Sequence, residues 1–287
     1  MSLYKPSKLA QFLAEKGIKP KKGLSQNFLI DGNILRKLIA AANLSQEDTV
    51  LEIGPGPGVL TEALLEAGAH VIAIEKDENL ARNLERLQNG NLTILADDFR
   101  NIRFKRLLKD KKKVKVIANI PYHITGIILQ ELLPQGYSHI ESIHIMVQKE
   151  VALRCQAPVG TKDYSSFTLF TQYHAQPKLL FTVSPSCFYP PPKVESAILE
   201  LKLHPPPVEA PYEPLFQIIR TAFQMRRKML RTSLKSLYPP EKTEQALETL
   251  GFVKTTRPQE LSLKNFSALF FSLETIQSEK SEHHSDA

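Results

Sequence analysis

The chain has 287 residues, 42% of them hydrophobic, which is enough for one large domain or for a large and a small one. A net charge of +7 and a pI of about 9.2 favour a polyanionic partner, and no apolar run approaches the roughly 18 residues of a membrane span. Two cysteines, Cys155 and Cys187, exclude a disulfide framework and a cysteine metal cluster, and the N-terminus lacks the charged start and apolar run of a secretory signal, so a cytoplasmic protein without a metal or a membrane contact is expected.

The spacing of Ile34, Leu35, Leu38 and Ile39 predicts a helix over 33–42. Strands and helices then alternate. Strands are predicted at 50–53, 71–74, 92–96, 114–118 and 143–147, and helices at about 60–67, 77–88 and 125–133. Apolar strands between amphipathic helices imply a mostly parallel sheet covered on both faces, with any ligand at one edge. The rhythm changes after about 180. Pro185 and Pro190–Pro192 precede a late antiparallel strand within 194–203, and His204–Pro207 reads as a stiff linker. Helical patterns follow at 215–223, 226–237, 241–250 and 263–273. The expected organisation is an α/β domain over 1–205, a small helical domain over 206–276 and a disordered tail over 277–287.

The chemistry lies at the strand ends. Gly54-Pro55-Gly56-Pro57-Gly58 follows the first strand of the sheet and precedes a helix. A dinucleotide fingerprint from Gly54 would need Gly at 59, where Val59 stands, and no Gly-Lys-Ser/Thr follows. Pro55 and Pro57 carry no N–H, so the loop is a poor phosphate cradle. It suits an uncharged nucleoside with an amino-acid tail, which means S-adenosylmethionine. Glu75 ends the second strand and can accept both ribose hydroxyls; taken alone it would read as surface charge. Asp97 and Asp98 end the third, and Asp97 is the expected acceptor for the cofactor's adenine, with a one-residue slip left open.

Asn119-Ile120-Pro121-Tyr122 ends the fourth strand. The Asn119 amide oxygen and the Ile120 carbonyl can each accept one N–H of an amino-bearing base, while the Tyr122 ring stacks on it. The same residues also make an ordinary turn. Cations cluster at Lys16–Lys22, Arg103–Lys113 and Arg226–Lys235, and Arg226, Arg227, Lys228 and Arg231 are spaced to share a helix face toward RNA phosphates. A solvated basic helix would have the same sequence.

Six stretches together resemble the ribosomal RNA adenine dimethyltransferases, from about Lys22 to Phe271. They are 23–31 around Gln26-Asn27-Phe28-Leu29, 50–61, Asn119–Tyr122, 146–151, 188–196 and 223–234. Ile120 replaces a common Leu, which keeps the backbone carbonyl. The resemblance implies a Rossmann-like methyltransferase sheet with a small C-terminal helical domain. It implies that Asn27, Leu29, Gly54, Gly56, Glu75, Asp97 and Asn119 line the S-adenosylmethionine pocket, and that Phe188 stacks on a target adenine opposite Tyr122. On chemistry alone Phe188 would be core. The implied activity is N6-dimethylation of two adjacent adenines in a loop near the 3′ end of 16S rRNA, during maturation of the small ribosomal subunit; a monomer is expected. Large-subunit RNA or DNA as substrate, and a non-catalytic assembly factor, remain the alternatives.

Overall fold

The computed structural model describes residues 3–18, 26–109 and 111–282. In chain order the elements are α1 (Pro6–Glu15), β1 (Phe28–Leu29), α2 (Gly32–Ala42), β2 (Thr49–Ile53), α3 (Val59–Glu66), β3 (His70–Glu75), α4 (Glu78–Leu84), β4 (Leu92–Ala96), α5 (Phe104–Leu107), β5 (Val114–Asn119) and α6 (Thr125–Gly136). They continue as β6 (Ile140–Gln148), α7 (Lys149–Cys155), α8 (Ser166–His174), β7 (Ala175–Val183), β8 (Phe188–Tyr189), β9 (Ser196–Leu203), α9 (Tyr212–Gln224), α10 (Leu230–Ser233), α11 (Pro240–Thr249) and α12 (Leu263–Glu282).

The chain divides into two compact units, 1–152 with 174–204 and 153–173 with 205–287. The first holds a seven-stranded sheet in the order β4-β3-β2-β5-β6-β9-β7. Strands β4 to β6 are parallel, and β9 runs antiparallel to both β6 and β7. The parallel strands β2, β3, β5 and β6 are almost wholly buried, as expected where helices cover both faces, while only Leu92 of the edge strand β4 is. From β2 the chain winds outward through β3 and β4, then returns to start β5 on the other side of β2. That reversal opens a crevice at the carboxyl ends of β2 and β5, where such sheets bind ligands. Local capping frames it. Asp31 Oδ1 accepts the N–H groups of Asn33 and Ile34 at 2.8 and 3.1 Å to start α2, and Asp77 Oδ1 accepts those of Asn79 and Leu80 to start α4.

Two elements of this unit lack a clear sequence signal. Helix α1 is short, though Pro6 at its first turn and the buried Leu9, Phe12 and Leu13 mark an amphipathic helix. Strand β7 carries Pro177, which argues against a strand until its place at the sheet edge is known.

The second unit differs from the expected 206–276. Residues 153–173 belong to it because Tyr164, Leu169 and Tyr173 bury their side chains in one apolar cluster with Leu215, Phe216, Ile219 and Phe266. The expected tail from 277 continues α12 as far as Glu282; its remainder, with His283 and His284, lies outside the described residues, as do Lys19, Lys21, Lys22 and Gly23–Ser25. The helix expected over 226–237 is not formed. The chain turns at Met225–Lys228 and only Leu230–Ser233 is helical. Both outer nitrogens of Arg226 donate to backbone carbonyls, to Thr161 at 2.7 Å and to Lys162, and this holds the turn.

Phe216 is the centre of the second core, edge-on to Tyr173 and Phe170 and tilted against Tyr212. Phe216→Ala is expected to lower the stability of this unit by about 3–5 kcal/mol, measured by urea unfolding of the full chain. A loss below about 1 kcal/mol would contradict the central packing role assigned to the ring.

Candidate active site

The crevice at the ends of β2 and β5 is a cavity of about 410 Å3, of the size that holds a small-molecule ligand. Its wall includes Asn27, Leu29, Gly54, Gly56, Glu75, Asp97, Asn119, Ile120, Pro121 and Tyr122, so the structure brings these expected residues together from five separate stretches of chain.

The glycine loop is the floor. Gly54, Gly56 and Gly58 all have positive φ, which side-chain-bearing residues rarely adopt. All three of their N–H groups are spent within the protein. Gly54 donates to the Ile74 carbonyl at 2.9 Å, Gly56 to Glu75 Oε2 at 2.9 Å and Gly58 to the Pro55 carbonyl at 3.0 Å. With prolines at 55 and 57, these five residues have no N–H left for a phosphate, which is the physical content of the expectation drawn from the two prolines. A Cβ on Gly56 would stand 3.1 Å from the Phe28 ring, so the N-terminal segment lies directly against the loop.

Glu75 is buried, with Oε1 accepting the Asp77 N–H at 2.8 Å and Oε2 the Gly56 N–H. Burial pushes its carboxyl above the usual range, against these backbone bonds. Of the two acids after β4, Asp98 is engaged. It accepts from Arg100 and, at 2.9 Å, pairs with Lys76, and these bonds, led by those from Arg100, hold its carboxyl far below the usual range. Asp97 accepts the Asp98 N–H and the Asn101 amide through Oδ1, so it is the better placed of the two to use its other oxygen.

Asn119 donates through Nδ2 to the Asn27 carbonyl at 3.1 Å. Only the nitrogen of the amide can donate to a carbonyl, so this bond fixes the amide orientation and leaves Oδ1 as the acceptor presented to a ligand. Tyr122 lies in a 3-10 turn over Tyr122–Ile124, and its hydroxyl shares a 2.5 Å hydrogen bond with Ser196 of β9. Ser196 is wholly buried and paired in register with both β6 and β7, so the tyrosine is tied to the sheet. Nothing in the sequence distinguished this serine from the rest of its motif.

Phe188 is not brought to the cavity. It is 2% exposed, sits in register with Leu29 and packs in the main core of the first unit. The four cations expected on one helix face are also separated: Arg226 caps the 161–162 carbonyls, Arg231 pairs with Glu244, and Arg227 and Lys228 are exposed on the turn. Burial pushes the Cys155 thiol up to about 12, so it is a packed thiol rather than a nucleophile. Among the described residues there is no group of His, Cys, Asp and Glu that could hold a metal ion, and no helix is long and apolar enough to cross a membrane.

One acid was not singled out from the sequence. Glu52 lines the cavity, is 1% exposed, and its Oε2 meets no hydrogen-bond partner among the described residues. An orphaned carboxyl oxygen beside Glu75 and Asp97 suits a ligand that brings N–H and O–H groups to pair with it. S-adenosylmethionine is such a ligand, and the residues present fit it.

The model of the ribosomal RNA adenine dimethylase family matches residues 17–274. The chain belongs to that family. It is 50% identical to the ribosomal RNA small subunit methyltransferase A of Protochlamydia amoebophila, over 95% of this chain and 98% of that one. It is 43% identical to its namesake in Chlamydia abortus, over 95% and 99%. Among solved structures it resembles a dimethyladenosine transferase from Plasmodium falciparum, with a TM-score of 0.72 and 26% identity over 86% of this chain and 98% of that one. It also resembles the 23S rRNA methyltransferase ErmE, with a TM-score of 0.67 and 26% identity over 86% and 100%. As a member of the dimethylase family the chain is a Rossmann-like, S-adenosylmethionine-dependent ribosomal RNA adenine methyltransferase.

Burial raises the Glu52 carboxyl from an ordinary 4.5 to about 8, with the Glu75 charge adding to the effect. The folded chain therefore holds a proton that the unfolded chain releases between about pH 4.5 and 8, so stability from this group falls as pH rises through that window. Replacing Glu52 by Gln removes the dependence. The gap in urea midpoint between Glu52→Gln and the parent is expected to shift in favour of the variant from pH 5 to pH 8. Parallel profiles would show that Glu52 is ionised in the folded protein.

Proposed function

We propose that this enzyme dimethylates N6 of adenines in small-subunit ribosomal RNA, two adjacent adenines in a loop near the 3′ end of 16S rRNA, as a cytoplasmic monomer during subunit maturation. The observation that carries the reading is the Asn119 amide, oriented by the Asn27 carbonyl so that its oxygen is the group on offer at the cavity wall. The near full-length likeness to two relatives named as small-subunit methyltransferases supports that RNA over the large-subunit RNA named for ErmE.

The adenine amino group is a weak nucleophile because its lone pair is delocalised into the ring. Asn119 Oδ1 and the Ile120 carbonyl accept its N–H bonds and draw the nitrogen toward a tetrahedral shape. Tyr122, tethered through Ser196, stacks on the ring and fixes its plane. The bound cofactor supplies an electrophilic methyl on a sulfonium. Glu75 accepts the ribose hydroxyls, Asp97 accepts from the cofactor's adenine, and Asn27, Leu29, Gly54 and Gly56 shape the pocket. Positioning and electrostatics carry this chemistry, and no strong general base is required. The target base must leave its stack to reach the site, which favours a loop adenine.

Stacking of Phe188 on the target adenine opposite Tyr122 would require the ring to leave the buried position it holds in register with Leu29. The RNA-binding role expected of Arg226, Arg227, Lys228 and Arg231 is retained for Arg227 and Lys228. Arg226 holds that turn, and Arg231 is paired with Glu244.

Purified enzyme with tritiated cofactor is expected to label adenines of small subunits assembled without it and to leave naked DNA unlabelled. Label in DNA, or none in RNA, would sink the assignment. Asn119→Ala is expected to lower transfer by at least about a hundredfold while subunit binding is kept. Substantial residual transfer would remove the amide from the mechanism. Arg227→Glu with Lys228→Glu is expected to weaken subunit binding and reduce its salt dependence, read from affinities across a salt series.

A further inference from the structure

The glycine loop has a third anchor outside the sheet. Its N–H groups reach the Ile74 carbonyl, Glu75 and the Pro55 carbonyl, as described, but the carbonyl of Pro57 points to a different partner. Arg86, in a 3-10 turn over Glu85–Leu87 directly after α4, donates through Nη2 to that oxygen at 2.8 Å and through Nη1 to the Asn83 carbonyl at 2.9 Å. The central carbon of the same guanidinium lies over the Phe12 ring, 5.0 Å from its centroid. Phe12 belongs to α1 and is buried in the core of the first unit with Leu9 and Leu13.

The packing leaves little slack. A Cβ on Gly58 would stand 2.7 Å from Leu84, 3.0 Å from Leu87 and 3.3 Å from Arg86 Nη2, so the end of α4 sits hard against the loop. A loop with two prolines and three positive φ angles has few internal bonds to hold its shape, and a carbonyl at its last turn needs a donor from elsewhere. Arginine supplies two donors in a rigid plane whose faces remain available for an aromatic ring, which lysine cannot do.

We infer that Arg86 is a positioning residue of the cofactor site, holding the Gly54–Gly58 loop in its binding shape through the Pro57 carbonyl, and that Phe12 makes helix α1 a working part of that site. The chain from α1 to the cofactor runs Phe12, Arg86, Pro57, loop. Arg86 itself touches no ligand in this scheme. It acts by keeping the loop shaped before the ligand arrives, so its loss is read in cofactor affinity rather than in RNA binding.

The inference rests on the assignment of the cavity to S-adenosylmethionine, and the test separates the two. Calorimetric titration of the full chain with S-adenosylhomocysteine, well below the melting temperature, gives Kd for each variant. Arg86→Ala is expected to raise Kd about tenfold or more, and Phe12→Leu, which keeps the burial but removes the ring, by a smaller factor. Arg82→Ala, on the preceding turn and paired with Glu78, is expected to change nothing. Small-subunit binding is expected to be unaltered in all three. If Arg86→Ala does not fold, Arg86→Lys keeps the charge and loses the fork, and is expected to raise Kd several-fold. An unchanged Kd in the folded Arg86 variant overturns the inference when Glu75→Ala still weakens binding. An unchanged Kd in Glu75→Ala as well overturns the cofactor assignment together with it.

Discussion

The buried hydrogen bond from the Gly56 N–H to Glu75 is the constraint on which the site depends. It joins the loop after β2 to the end of β3, and the same carboxylate holds the Asp77 N–H that leads into α4. A glutamate so placed has its oxygens oriented before any ligand binds. Burial disfavours its charge, and the two backbone donors offset part of that cost. The loop that remains has no N–H to offer a phosphate, and so its geometry selects a neutral or cationic ligand over a nucleotide polyphosphate.

The other side of the crevice is arranged by the same logic. Asn119 gives its nitrogen to Asn27, which leaves its oxygen as the acceptor of the amide, and Tyr122 is fixed by a serine in the middle of three strands. Neither group titrates near neutrality, and the proposed mechanism does not need them to, since in it both act by accepting hydrogen bonds or stacking. The antiparallel β9 matters here for a concrete reason: it carries Ser196 back to the edge where the parallel strands end.

Charge is distributed less simply than a count of cations suggests. Arg226, Arg231 and Arg100 are occupied within the protein by carbonyls or carboxylates, while Arg227 and Lys228 are exposed. An arginine in a basic run can thus be a structural donor, and sequence spacing does not separate that use from a phosphate contact. The pattern at 226–237 resembled a helix because Leu230, Leu234 and Leu237 recur at helical intervals, yet the chain bends at Met225 to satisfy the carbonyls of Thr161 and Lys162, which lie more than sixty positions away in sequence.

Much of the site was legible from sequence because parallel α/β sheets place ligands at strand ends, and each strand end here carries its own chemical signature. The succession from Gly54 to Glu75, Asp97 and Asn119 needs no long-range knowledge. Strand β7 and residues 153–173 were not legible, since an edge strand tolerates Pro177 and the aromatic residues at 164 and 173 share their apolar cluster largely with partners beyond 205. By itself, then, the sequence determined the alternation of elements, the residues at the strand ends and the exclusion of a phosphate cradle, because these follow from local periodicity and from proline's missing N–H. Only the tertiary structure decided that Asp98 is spent on Arg100 and Lys76, that Asn119 presents its oxygen, that Phe188 packs in the core and that Arg86 braces the loop, because each depends on which distant partner satisfies a polar group or covers a ring.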